Sequence, residues 1–204
     1  MEQMKQVFIE EKTFDRTDFT QNPLSKGEYE YCKFVNCNFL KSDFSDIKFL
    51  ECEFSGCNLS LVKLERSSLK EVKFKDCKML GLNFGNCNAF EFVVYFDTCI
   101  LNHSLFSDIT APVKQRVRFR RTVFKNSLLH EVDFTECDLS AAVFDNCDLT
   151  RTIFDRTMLE QADFRSSFNY SIDPELNRIK KAKFSQSGLA GLLEKYDLDL
   201  DPID

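Results

Sequence analysis

The chain has 204 residues, room for one large domain or two small ones, and 43% hydrophobic residues, enough for a sizeable core. Within that total stand 22 Phe, no Trp, 6 Gly and 9 Cys, a bias toward one aromatic that an ordinary packed domain does not show. A net charge of −6 and a pI near 5.1 argue against general affinity for nucleic acid, so direct nucleic-acid binding is not expected.

In chain order, the first residues, MEQMKQVFIEEKTF, hold no apolar run of signal-peptide length, and no later stretch approaches the roughly 20 apolar residues of a membrane span. A cytoplasmic location with reduced thiols and no membrane contact is the expectation. Residues 1–30 carry polar or turn residues at Gln21-Asn22-Pro23 and Ser25-Lys26-Gly27, and read as a cap or loose first coil.

From Phe14 a step of five lands on a large apolar residue each time: Phe14, Phe19, Leu24, Tyr29, Phe34, Phe39, Phe44, Phe49, Phe54, and on to Phe84. The lattice returns at Phe119 and runs to Phe164, and a short piece between them is out of phase through Phe96, Leu101 and Phe106. Counting Phe184, 18 of the 22 Phe sit on this register. A period of five is neither helical nor that of a plain strand. Two residues before each large one lies a small one, and all nine cysteines, including Cys99, occupy that slot. With no C-x-x-C and spacings in multiples of five, they read as compact, mildly apolar core residues rather than a metal or redox site.

Two inward side chains per five residues require a corner after each unit, and four units close a square coil of twenty. Stacked coils lie about 4.8 Å apart, the spacing of paired strands. Phe14, Phe34, Phe54 and Phe74 then form one column, and Cys37, Cys57 and Cys77 another. Thiols on parallel vectors are not expected to bridge. No coil buries its faces alone, so stability comes from stacking on neighbours.

Units such as CDLTR (Cys147–Arg151), VDFTE (Val132–Glu136) and SDFSD (Ser42–Asp46) resemble the A(D/N)LXX unit of pentapeptide-repeat proteins, over about residues 30–87 and 117–168. The resemblance implies an all-β, right-handed quadrilateral β-helix. The solenoid is expected over 31–184, interrupted by a loop near 107–116, with a short C-terminal helical cap and acidic tail over 185–204.

The loop DITAPVKQR contains Pro112 and no large lattice residue. Lys114, Arg116, Arg118, Arg120, Arg121 and Lys125 follow closely, and between residues 107 and 126 only Asp108 opposes them. This cluster is read as a contact for acidic protein or neighbouring acidic coils. Near the end, Ile172-Asp173-Pro174-Glu175 breaks the coil. Ser187 then reads as the cap of a helix with Leu189, Leu192, Leu193 and Tyr196 on one face.

Chemistry-bearing motifs are sparse. His103 and His130 fall on outward positions without a nucleophile beside them, and no phosphate loop or metal motif is written in the chain, so neither enzyme nor cofactor is expected. Surface charge is more informative. With coils of twenty, Lys33, Glu53 and Lys73 alternate in sign up one column, whereas Glu51, Glu71 and Glu91 repeat it and form a candidate partner-binding stripe. A second acidic group is Glu131, Asp133, Glu136 and Asp138.

The chain is similar to pentapeptide-repeat members of the quinolone-resistance (Qnr) type. That resemblance implies a DNA mimic that binds DNA gyrase or topoisomerase IV and protects it from quinolones, and a homodimer through the C-terminal end. The alternative is a cytosolic scaffold or regulator with an unrelated protein partner.

Overall fold

A computed structural model describes residues 6–88, 92–107 and 118–199. The chain winds into a four-sided parallel β-helix with one short helical segment at its C-terminal end. Two walls are strands by hydrogen bonding. One holds β1 (Val7–Glu10), β3 (Gly27–Glu30) and β5 (Lys48–Leu50). The next holds β2 (Thr13–Asp15), β4 (Lys33–Val35), β6 (Glu53–Ser55), β8 (Val93–Asp97), β9 (Val123–Lys125) and β10 (Val143–Asp145). β7 (Ser68–Lys75) runs through both, pairing with β5 by its first half and β6 by its second. The other two walls are joined by isolated parallel bridges such as Asn38 to Asn58 and Asp133 to Ile153.

The interior is filled by columns of large side chains. In the wall of β2, β4 and β6, taken as the first so that the wall of β1, β3 and β5 is the fourth, nine rings, Phe14, Phe34, Phe54, Phe74, Phe96, Phe124, Phe144, Phe164 and Phe184, stack with centroids 4.5–5.4 Å apart. The second wall carries Phe19, Phe39, Leu59, Met79, Leu101, Leu129 and Leu149. The third carries Phe44, Leu64, Phe84, Phe106, Phe134 and Phe154. The fourth carries Ile9, Tyr29, Phe49 and Leu69, and later Phe119, Leu139, Leu159 and Ile179. Within residues 1–30, read as a cap or loose first coil, the described part includes β1 in register on β3 and β2 in register on β4.

The phase break is two insertions that leave the columns continuous. Phe96 follows Phe74 by 22 residues and stacks on it at 5.4 Å, and Phe124 follows Phe96 by 28 and stacks at 5.1 Å. The second insertion covers the interval near 107–116 where a loop is expected, and residues 108–116 lie outside the described residues. Pro112, Lys114 and Arg116, like Glu91, lie outside the described residues.

Corners are made by left-handed backbone. Of the 25 non-glycine residues with positive φ among the described residues, all but Asn169 and Asp197 stand two positions after a large core residue. An L-residue there costs about 1–2 kcal/mol. The corner N–H offsets this by bonding across coils, as Glu51 does to the Lys70 carbonyl at 2.8 Å and Glu131 to Thr150 at 3.0 Å.

The small slot does more than fill space. Cys57 Sγ donates to the Phe34 carbonyl at 3.2 Å, Cys77 to Phe54 at 3.3 Å and Cys52 to Tyr29 at 3.2 Å. Thr157, Ser167 and Thr152 reach the equivalent carbonyls of Phe134, Phe144 and Leu129 at 2.7–2.9 Å. A buried carbonyl without a partner is costly, so the slot favours a compact donor. All nine cysteines are buried as thiols outside any disulfide. Burial pushes the thiols of Cys52, Cys87 and Cys147 up to about 12.

Candidate protein-binding surface

With the interior filled, side chains that can meet a partner are those on wall surfaces and corners. Glu51 and Glu71 are exposed and succeed one another on the corner between the fourth and first walls, beneath Tyr31. Neither forms an ion pair among the described residues. The Glu51 carboxylate raises the phenol pKa of Tyr31 by its charge and by a hydrogen bond. Tyr31, Lys33, Glu51, Glu53, Glu71, Lys73 and Tyr95 line one shallow concavity. The alternating column expected at Lys33, Glu53 and Lys73 is in register there.

The second acidic group is arranged differently. Glu131 lies 3.2 Å from His103 and 3.2 Å from Arg151, and Glu136 3.1 Å from Arg156. Asp138 accepts from the Ser140 backbone and hydroxyl and lies 3.5 Å from Arg120, while Asp133 accepts from the Thr135 N–H at 2.7 Å. These four carboxylates therefore spread over two walls and two corners, with partners from adjacent coils or their own turn. The step of twenty already implied Glu131–Arg151 and Glu136–Arg156 as neighbours, and also Asp46–Arg66, a two-point pair at 2.7 Å. Reading charge along the chain rather than up the columns hides them.

Of the basic cluster, Arg118, Arg120 and Arg121 are exposed on the fourth wall and its corner. His130 is half-buried beside Asp148 at 2.9 Å. Burial raises the Asp148 pKa, but hydrogen bonds from Thr150, Asn169 and His130 outweigh it and leave the carboxyl at about 2. No group of His, Cys, Asp and Glu able to hold a metal occurs among the described residues, and no described helix is long and apolar enough to cross a membrane.

At the C-terminal end Tyr170 and Ile172 are buried, and Asn177 takes the small slot. Its amide donates to the Phe154 carbonyl at 2.9 Å and accepts from the Thr157 N–H at 2.8 Å. A helical segment follows over Ser187–Tyr196, with α1 (Ala190–Leu193) between two 3-10 turns. Ser187 does not cap it. Ser185 Oγ accepts the Gly188 N–H at 3.1 Å, so the cap lies two residues earlier, outside the first turn, where a side chain can reach back to that N–H.

The segment lies on its own chain. The Ile172 N–H donates to the Gly191 carbonyl at 2.9 Å, and a Cβ on Gly191 would stand 2.2 Å from the Tyr170 carbonyl. Lys195 ties it down through Asp173 at 2.8 Å and Glu175 at 2.7 Å. Leu192 packs on the core and Leu193 is half-buried, while Leu189 and Tyr196 remain exposed.

A profile described as a pentapeptide repeat region matches residues 28–109, and one described as pentapeptide repeats, in eight copies, matches 127–166. The chain belongs to the pentapeptide-repeat family. A trypsin-treated variant of QnrB1, described as a plasmid-mediated fluoroquinolone resistance protein, shares its fold at a TM-score of 0.55 and 16% identity, over 98% of this chain and 93% of that one. Full-length QnrB1 gives 0.47 and 16% over 94% and 100%. HetL of the cyanobacterium Nostoc sp. strain PCC 7120, described as a pentapeptide-repeat protein involved in heterocyst differentiation regulation, gives 0.36 and 15% over 89% and 88%. No curated protein matches the sequence. In this pentapeptide-repeat protein the core columns and corner geometry run through both matched regions and across the interval between them.

Proposed function

We propose that this chain is a non-catalytic protein-binding rod, and that the partner is a type II topoisomerase, DNA gyrase or topoisomerase IV, which it shields from quinolones. The observation that carries the reading is the corner of Glu51 and Glu71. Two exposed carboxylates one coil apart, about 4.8 Å, without an ion pair among the described residues, present repeated negative charge on a straight edge. Such a row suits a groove built to hold phosphates. The packed interior supports a non-catalytic role, since among the described residues the axis is filled by stacked side chains. The fold likeness to a fluoroquinolone resistance protein points to the same class of partner. Exposed Leu189 and Tyr196 at the C-terminal end are the natural contact for a second copy in an end-to-end pair.

The test is gyrase supercoiling with purified protein, with and without a quinolone. Restored supercoiling in the drug's presence, weakened by Glu51→Lys with Glu71→Lys, supports the reading. No effect on gyrase or topoisomerase IV refutes it.

A further inference from the structure

The fourth wall carries opposite charge at its two ends. On its first four rungs, centred on Ile9, Tyr29, Phe49 and Leu69, the outward and corner positions hold Glu10, Glu11, Glu28, Glu30, Glu51 and Glu71 against Lys48 and Lys70. On its last four, centred on Phe119, Leu139, Leu159 and Ile179, they hold Arg118, Arg120, Arg121, Arg178, Lys180 and Lys181 against Asp138 and Glu160. Six carboxylates facing two lysines are mirrored by six cations facing two carboxylates. Glu28 pairs with Lys48 within the acidic half, and Arg120 with Asp138 at 3.5 Å within the basic half. Glu10, Glu11, Glu30, Glu71, Arg118, Arg121, Arg178, Lys180 and Lys181 form no ion pair among the described residues.

We propose that this wall is a lateral self-association surface, on which a second copy of the chain lies antiparallel with its basic rungs against the acidic rungs of the first. Phe92, between Leu69 and Phe119, centres a fifth rung, and a two-fold axis through it sets each rung opposite its counterpart from the other end. Glu10 and Glu11 then face Arg178, Lys180 and Lys181, and Glu71 faces Arg118, Arg120 and Arg121. Of the minority charges, Lys48 opposes Asp138 and matches. Two mismatches remain, Glu30 opposite Glu160 and Lys70 opposite Arg120. A patch complementary to itself under a two-fold rotation is what an isologous pair requires, whereas a parallel arrangement would set like charge on like. The contact runs the length of the rod, eight steps of about 4.8 Å, and rests on exposed charge, so it screens with salt. It would also cover the edge that carries Glu51 and Glu71.

The test is the molar mass of the full chain by sedimentation equilibrium at about 50 mM and about 500 mM salt, where screening differs severalfold. One variant reverses the acidic end, Glu10→Lys, Glu11→Lys and Glu71→Lys, and another the basic end, Arg118→Glu, Arg121→Glu and Lys181→Glu. All six positions are exposed, so folding is retained and is checked by circular dichroism.

The wild type should associate at low salt, at least tenfold more weakly at high salt, and each variant should lose that salt-sensitive step. A one-to-one mixture should recover it, because both contacts of the mixed pair are complementary again. Absence of a salt-sensitive step in the wild type, its survival in both variants, or a mixture that stays apart would overturn the proposal. An end-to-end pair through Leu189 and Tyr196 is indifferent to all six substitutions. The readout is mass, so it is separate from any effect on gyrase.

Discussion

Phe54→Ala tests the stacked interior most directly. The ring is fully buried and lies 4.5 Å from Phe34 and 5.2 Å from Phe74 in its column, with edge contacts to Phe49 at 5.4 Å and Phe39 at 5.9 Å. Removing a buried Phe typically costs about 3–5 kcal/mol. The upper half of that range applies, because several aromatic pairs are lost together, each about 0.5–1.5 kcal/mol beyond its buried area. The hole also cannot close easily, since parallel ladders on both sides hold the coil spacing.

Phe14→Ala is the internal control. That ring is only half-buried at the end of the column, with one stacked neighbour at 4.9 Å and one edge neighbour at 5.7 Å, and should cost about 1–2 kcal/mol. Urea unfolding followed by circular dichroism separates the two. With an m-value of about 2–3 kcal/mol per molar, Phe54→Ala should lower the midpoint by roughly 1.5–2 M. Equal shifts for the two variants would refute the stacked-column account, because burial and neighbour number would then carry no weight.

Three further outcomes follow from the same geometry. Gly191→Ala should release the C-terminal segment, since its Cβ would meet the Tyr170 carbonyl at 2.2 Å, and faster amide exchange over Ser187–Tyr196 with an unchanged solenoid is the expected signature. Cys57→Ser should retain more stability than Cys57→Ala relative to the difference in apolar volume, because the hydroxyl can still donate to the Phe34 carbonyl, and a serine variant less stable than the alanine would deny the donor role. Stability should fall at alkaline pH. The folded thiols of Cys52, Cys87 and Cys147 stay protonated up to about 12, whereas the unfolded ones ionise near 9, so the unfolded chain binds fewer protons between those values. Each thiol should cost about 1–2 kcal/mol between roughly pH 8 and 10, and a urea midpoint that does not move over that range would contradict it.

Much of the fold was legible in the residues because the packing rule is local. A large residue every fifth position and a small one two before it can both face inward only if the chain turns after each unit, and stacking by twenties then follows without knowledge of any partner coil. The site was less legible. Glu51 and Glu71 could be placed as neighbours because they lie within one unbroken run of the lattice. The joint pattern of Glu11, Glu51 and Glu71 with Arg121 and Lys181 could not, because insertions that change the step to 22 and then 28 intervene, and only continuous columns show that the walls resume in order. Glycine holds the corner at Gly56 and Gly81, but elsewhere Glu, Arg, Lys and Leu take left-handed backbone there under the pull of cross-coil hydrogen bonds, so composition does not mark the corners.

The sequence by itself determined the period, the two inward slots and the coil of four units, since each depends on which side chains leave water within five residues. Only the tertiary structure decided which of the charges made neighbours by the step of twenty close into pairs. Ion pairs such as Asp46–Arg66, the thiol bonds to carbonyls of the preceding coil and the opposite charge of the two ends of one wall all join residues twenty or more positions apart. Their energies depend on distances that exist only once the coils are stacked.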